Sequence, residues 1–353
     1  MILTSLHIDA EAFQSHSGWA IKPQGACKGE ACVPLPPEVR QPGGLLDAQV
    51  LADRLGMPLV HDAAHGLWAL GPESAVTGRA LTTAQAPELV LPDLNGDLFR
   101  LSSLRGRKVL LTTWASWCGC RADLPHWQAL RERLHPQGLE VVTVALDTEG
   151  WAAARPYAEA ARPTHPSLVD QAHRVDELFG VVNVPNGVWI NEEGVIVRPA
   201  EPAWPGRSVV SEWSDAGMND NQREMLGHVR KIRLETTLYL EMLEDWVAHG
   251  QASRYVLSPD EVVARSQPRS LEQARAAAHF ELGQHLHRAG QHPAAVPHWR
   301  EAHRLQPENW TYKRQAWHIE DPQSQFNTQA YDSNWLKDVQ AIGAENYYPK
   351  IQA

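Results

Sequence analysis

Between residues 108 and 147 the chain places one amphipathic stretch between two apolar runs. RKVLLTTWASW reads as a buried strand, DLPHWQALRERL has the three-and-four spacing of a helix, and LEVVTVALD reads as a second buried strand. PDLNGD, just upstream, is a turn signature. Downstream come WAAARPYAEAA, a helical stretch interrupted by Pro156, then AHRVDELFG as a second helix, and VPNGVWINEEGVIV as a hairpin turning at a Glu-Gly pair. Strands alternating with helices predict an α/β domain over residues 87–201.

The flanking regions have other textures. Residues 1–86 carry turn-forming clusters (GACKGEACVPLPPEV, QPGG, LGPES) between short apolar runs such as MPLV and LWAL, which predicts a small, loop-rich, partly β module. Residues 202–218 read as a linker with its own anchoring tryptophans, and residues 219–310 are helical by pattern. Met225, Val229, Ile232, Tyr239, Leu243 and Trp246 recur at three, four or seven residues, predicting one long amphipathic helix closed by Gly250. Ser258-Pro259-Asp260-Glu261 predicts a helix start, and Gln267-Pro268 its end. Over about 276–309, Leu282, Gly283, Leu286, Gly290, Ala295, Trp299, Ala302 and Pro307 stand at spacings that resemble a tetratricopeptide repeat. A single such unit cannot bury its apolar face alone. The helices of 220–266 and an aromatic tail over 311–353 are the expected cover. Around that tail lie Trp310, Tyr312, Trp317, Phe326, Tyr331, Trp335, Tyr347 and Tyr348.

Composition narrows the class. The length of 353 residues predicts two or three domains, and 43% apolar residues exclude disorder and fibrous folds. With 32 basic against 42 acidic residues and no long like-charged block, a nucleic-acid partner is not expected. The N-terminal MILTSLHIDAEAF lacks a basic or apolar leader pattern and no apolar stretch has membrane-spanning length, so a soluble, cytoplasmic protein without a membrane partner is expected. Four cysteines are too few for a disulfide scaffold, which leaves catalytic exchange as the reason for any disulfide.

The chemistry concentrates at Trp114-Ala-Ser-Trp117-Cys118-Gly119-Cys120-Arg121-Ala-Asp-Leu-Pro125. A buried strand delivers Cys118 to a helix N-terminus, where free N–H groups and the helix dipole stabilise a thiolate. Together with Gly-Val-Val-Asn-Val-Pro185 this run resembles the thioredoxin-fold redoxins, especially the reductases of cytochrome maturation and their relatives in the alkyl hydroperoxide reductase group, over residues 87–200. The resemblance implies a thiol-disulfide oxidoreductase: Cys118 attacks, Cys120 resolves the mixed disulfide, and Pro185 is cis, faces the pair and borders the substrate groove. A disulfide-containing protein or a small thiol is the implied substrate, and a protein partner is expected at the helical repeat.

One departure stands in the motif. Only Gly119 separates the cysteines, where the family has two residues. Positions two apart on a helix point in nearly opposite directions, so the sulfurs meet only if Cys118 is not yet helical, a freedom expected from Gly119. The small ring favours an isomerase-like or oxidising exchanger over a strong reductant. A peroxidase is not expected, because Trp-Ala-Ser-Trp replaces the Thr and Pro of the peroxidatic signature.

Around the pair, Trp114 is expected in the core and Trp117 at the site rim. Arg121 supports the thiolate if it points inward, and Asp147 either assists proton transfer or caps the next turn. Cys27 and Cys32 admit several readings: unrelated loop thiols, a disulfide closing a tight loop, a second dithiol near the Cys118 turn, or, with Cys118 and Cys120, a four-thiolate soft-metal site. A redox-inactive interaction protein is the remaining alternative. No organic cofactor is implied, since GxGxxG and P-loop patterns are absent, and no Cys-x-x-Cys-His pattern occurs, so no metal is the primary expectation.

Overall fold

Leu139–Leu146 is buried at every position and Lys108–Trp114 at all but its first, the pattern of parallel strands covered on both faces. In the computed structural model these strands, β2 and β1, pair in parallel, with Lys108 opposite Leu139 and Trp114 opposite Ala145. Strand β3 (Ser167–Asp170) adds in parallel to β2; β4 (Asn186–Ile190) runs antiparallel to β1, and β5 (Ile196–Pro202) antiparallel to β4. The sheet order is therefore β3-β2-β1-β4-β5. Helices α1 (Leu124–Leu134) and α2 (Trp151–Ala160) make the crossovers, and α3 (Arg174–Phe179) leads to β4. This is the expected α/β, thioredoxin-like arrangement. It brings the carboxyl ends of β1 and β2 together, the edge where α/β sites form. The described residues are 1–29, 31–74, 78–206, 214–322, 325 and 329–353.

The chain divides into two units, Met1–Thr82 with Pro268–Glu308, and Thr83–Gln267 with Asn309–Ala353. In the second, α4 (Asp220–Val229), α5 (Thr236–His249) and α6 (Pro259–Arg265) follow the sheet, and α7 (Trp310–Glu320) and α8 (Trp335–Ile342) come from the tail. The single long helix expected over 225–246 is two helices. Arg230 closes α4, and the chain leaves the helix through a segment carrying the like charges Arg230, Lys231 and Arg233. The apolar spacing runs on across the break because Ile232 and Leu234 line the same cavity as Met225 and Val229. Helix α5 packs on β4: Trp246 stacks on Trp189 at 5.0 Å, and the Trp189 indole donates to the Tyr239 hydroxyl at 3.0 Å. Gly250, at φ 56°, caps α5, and Ser258 with Glu261 forms the expected capping box of α6. Of the expected linker, Pro202–Trp204 continues from β5 with Trp204 buried, while 207–213, including Trp213, lie outside the described residues, as does Phe326.

The first unit is less loop-like than its turn signatures imply. Helices Ala10–Ser17 and Ala48–Leu55, not anticipated from sequence, start at the carboxylate caps Asp9 and Asp47 and close on left-handed Gly18 and Gly56. Ile2–Leu3, Leu59–Asp62 and Leu67–Leu70 form an antiparallel sheet. The repeat-like segment is a helix pair, Leu271–Arg288 and His292–Leu305, broken at Gly290 (φ 76°). Within this unit the N-terminal sheet packs on the first helix of the pair. Gly71 makes the approach: a Cβ there would stand 2.7 Å from the Ala274 carbonyl oxygen and 3.1 Å from the Ala278 Cβ. The N-terminal amine of Met1 pairs with Glu281 on the same helix.

Between the paired helices Gly283 faces Trp299, and a Cβ at Gly283 would lie 2.5 Å from the indole nitrogen. Gly283→Ala is therefore expected to destabilise the protein by about 1–3 kcal/mol despite alanine's better helix propensity. Urea unfolding followed by tryptophan fluorescence checks this, and equal or greater stability would show that the helices do not meet at Gly283.

Candidate active site

Strand β1 ends at Trp114, and the next four residues turn the chain into a 3-10 helix over Gly119–Asp123 that runs into α1, with Pro125 in its first turn. Cys118 is the cap of that helix. Its backbone is extended (φ −96°, ψ 141°), and its sulfur accepts from the Cys120 N–H at 3.2 Å. This resolves the two-apart geometry: Cys118 is outside the helix and Cys120 inside, their Cα atoms 5.1 Å apart and their sulfurs paired. The freedom assigned to Gly119 is not a left-handed backbone, because Gly119 has no positive φ; the extended conformation of Cys118 makes the turn.

The Val184–Pro185 peptide is cis, and the Cys118 sulfur lies 3.7 Å from the Val184 carbonyl oxygen. Pro185, Trp117, Cys118, Gly119, Cys120 and Arg121 share a cavity of about 270 Å³. Its other walls are Met225, Val229, Ile232 and Leu234 from α4 and the segment after it, Trp204, and Arg314, His318, Gln325, Trp335, Tyr347 and Tyr348 from the tail. Both cysteines are nearly covered, Cys118 at 3% and Cys120 at 7% exposure.

Long-range hydrogen bonds hold this cover. The Trp117 indole donates to Gln315 at 3.1 Å, and the Trp117 carbonyl accepts from Arg314 at 2.9 Å and Gln325 at 3.0 Å. The Arg314 guanidinium also lies over the Trp117 ring, 4.9 Å from its centroid. The Tyr348 hydroxyl donates to the Val184 carbonyl at 2.8 Å. Trp117, expected at an open rim, is thus buried beneath the tail while still lining the cavity.

Arg121 points inward. It donates to the Ser116 carbonyl at 2.6 Å, and its guanidinium lies 4.9 Å from the Tyr157 ring centroid. The Asp147 carboxylate accepts from the Ser116 N–H at 2.9 Å and hydroxyl at 2.7 Å, so it anchors the loop before Cys118. Burial pushes its carboxyl up to about 7 against those two hydrogen bonds. The cavity's own carboxyl is Asp123, which sequence reasoning missed. It is 6% exposed, its Oδ1 lacks a hydrogen-bond partner among the described residues, and burial pushes it up to about 7. Its position three residues after Cys120, one helical turn on, was the available signal. His318 goes the other way: burial, then Arg314 and Arg121, push it down to about 4, leaving a neutral ring at pH 7.

Cys27 and Cys32 belong to the first unit. They sit directly opposite each other on antiparallel strands Gly25–Lys28 and Ala31–Val33, joined as a disulfide with Cα atoms 4.1 Å apart. Cys27 is buried and Cys32 exposed. With each pair joined inside its own unit, neither presents thiolates to a metal in this state.

Residues 82–199 match the AhpC/TSA family. The chain is similar to the thiol-disulfide oxidoreductase ResA of Halalkalibacterium halodurans, 30% identical over 115 residues that cover 32% of this chain and 65% of that one. It is equally similar to ResA of Bacillus subtilis, 30% identical over 116 residues, covering 33% and 64%. Among solved structures, a thiol:disulfide interchange protein DsbE from Chlorobium tepidum is 28% identical with a TM-score of 0.30, covering 32% of this chain and 80% of that one. An exposed lipoprotein thioredoxin from Streptococcus pneumoniae is 28% identical with a TM-score of 0.30, covering 33% and 90%. The chain spans just under two thirds of the length of these ResA relatives, and what it shares with them and with the AhpC/TSA family is a thioredoxin-like domain.

Proposed function

We propose that the chain is a thiol-disulfide oxidoreductase working through Cys118 and Cys120. The observation that carries the reading is the cap geometry: an attacking sulfur on an extended residue at a helix start, its partner one step inside the helix, and the cis Pro185 beside them. In the reduced form the helix N–H groups stabilise the Cys118 thiolate, which attacks a substrate disulfide, and Cys120 then attacks Cys118 to release the product. Asp123, lining the same cavity, holds or takes up the proton that the resolving thiol must lose. Arg121 and Pro185 shape the site, Trp117 and Gly119 hold the turn, and Asp147 acts through Ser116.

The reading extends to the first unit. Spacing at Leu282, Gly283, Ala295 and Trp299 supports a tetratricopeptide-like helix pair as a protein-binding element, and the exposed Cys32 supports a second dithiol at Cys27 and Cys32. A cytoplasmic location is part of the proposal, supported by the low cysteine content.

Cys120→Ser is expected to accumulate a mixed disulfide at Cys118 that mass spectrometry detects under non-reducing conditions, whereas Cys118→Ser forms none. A mixed disulfide on Cys120 in the Cys118→Ser chain would reverse the roles.

Asp123 generates a pH prediction. Its carboxyl titrates at about 7 in the fold, well above the unfolded value of roughly 4. Between these values the folded chain keeps a proton that the unfolded chain has lost, so this group's contribution to stability falls as pH rises through that window. Asp123→Asn, which stays neutral, is expected to match the parent near pH 3 and exceed it near pH 8 by up to about 4 kcal/mol in urea unfolding. The same substitution is expected to remove an inflection near pH 7 from the exchange rate. An unchanged pH profile in Asp123→Asn would assign that inflection to another group.

A further inference from the structure

We propose that the substrate of the Cys118–Cys120 centre is a low-molecular-weight disulfide bearing a carboxylate on an apolar or aromatic body, and not a folded or unfolded protein. The inference rests on the exchange reading above and deepens it.

Three observations carry it. The first is that the chain's own tail occupies the backbone acceptors a protein substrate would use. A peptide docking beside a cysteine pair gains affinity from main-chain hydrogen bonds to the bordering strand and loop. Here the Val184 carbonyl, 3.7 Å from the Cys118 sulfur, already accepts from the Tyr348 hydroxyl at 2.8 Å. The Trp117 carbonyl on the other side accepts from Arg314 and Gln325 at 2.9 and 3.0 Å. Among the described residues these two carbonyls beside the pair are thus taken by the tail, and Cys118 is 3% exposed.

The second is that a cavity of about 270 Å³ remains over the pair. That is just below the roughly 300 Å³ at which sites for drug-sized ligands begin. Its walls are Trp204, Trp335, Tyr347, Met225, Val229 and Ile232, which suit an apolar or aromatic body.

The third is charge. Arg121 and Arg314 both line the cavity, against one carboxyl, Asp123, that burial holds partly protonated near neutrality, and a neutral His318. Apart from the bond from Nη1 to Ser116, the Arg121 N–H groups carry no hydrogen bond among the described residues. A half-buried guanidinium with donors to spare, in a cavity with an excess of positive charge, recognises an anion, and a carboxylate matches its fork.

The reaction balances without another cofactor. The Cys118 thiolate attacks one sulfur of RSSR, the substrate S–S bond breaks, and RS⁻ leaves and takes up a proton. The Cys120 thiolate then attacks the Cys118 sulfur and expels the second RS⁻. The dithiol is oxidised to the Cys118–Cys120 disulfide, two electrons pass to the substrate, and the two thiol protons end on two RSH. A dithiol reductant restores the pair.

The test is a single turnover of the full chain, reduced with a dithiol and desalted. It is mixed in turn with dithiobis(nitrobenzoate), an aromatic disulfide with a carboxylate on each ring, with neutral dithiodipyridine, and with insulin as a protein disulfide. Each rate is divided by that of the urea-unfolded chain, which removes the intrinsic reactivity of each disulfide. The carboxylated disulfide is expected to lead both others by roughly tenfold or more, the scale of one buried charge-assisted hydrogen bond. Arg121→Gln should remove most of the lead over dithiodipyridine, and Arg121→Lys should keep part of it. Insulin reacting as fast as the carboxylated disulfide, or a lead that Arg121→Gln leaves intact, overturns the substrate class while exchange at Cys118 stands. Rates no greater than those of the unfolded chain with all three disulfides overturn the exchange reading and this inference with it.

Discussion

The indole and the carbonyl of Trp117 are held by side chains 198 and 197 positions further along the chain. That pair of contacts organises the site. Trp117 immediately precedes Cys118, so fixing its carbonyl between Arg314 and Gln325 and its ring under the Arg314 guanidinium fixes the entry to the sulfur turn. Gln315 joins in from the neighbouring position, and its carbonyl oxygen also accepts from the Thr148 N–H at 3.0 Å, just past the end of β2. Two strand ends and the tail thus meet at one residue. The start of α7 is pinned in turn, with the Trp310 N–H donating to the Val182 carbonyl at 2.8 Å and Asn309 donating to Asp176 at 2.8 Å.

Enclosure sets the electrostatics. Asp123 and Asp147 flank the same turn, and both are pushed up to about 7 because burial penalises the charged form. Their partners separate their roles. Asp147 accepts two hydrogen bonds from Ser116 and is a fixed strut, whereas Asp123 keeps an unpartnered oxygen in the cavity with the cysteines. A carboxyl that titrates near neutrality exchanges protons with little driving force in either direction, which suits it to serve a thiol.

The first unit packs its N-terminal sheet on a helix of the pair, which a single repeat-like unit needs in order to bury its apolar face. It does so with a glycine: Gly71 lets a strand end come close to the Ala274 carbonyl, and Gly283 gives Trp299 its place between the helices. Gly71 and Ala274 stand far apart in the chain and Gly283 and Trp299 on neighbouring helices, yet each is small or aromatic for a reason visible once the packing is known.

Much of the second unit was legible in the sequence. The fully apolar runs of β1 and β2, the caps at Ser258 and Gly250, and the requirement that Cys118 stand outside the helix all follow from period, capping chemistry and the direction of side chains two residues apart. These depend on neighbours within a few residues, which a sequence displays directly. The break after Val229 was hidden, because residues on both sides of it face one cavity and keep a helical spacing of apolar positions. The first two helices of the chain were masked by the turn residues around them. Three features were settled only by the tertiary structure: the partner of the helix pair, the burial of Asp123, and the closing of the tail over Trp117 and Val184. Each rests on contacts between residues far apart in the chain, whose side chains carry no local mark of the surface they will meet, so their effect on the cysteine pair exists only once the chain has closed on itself.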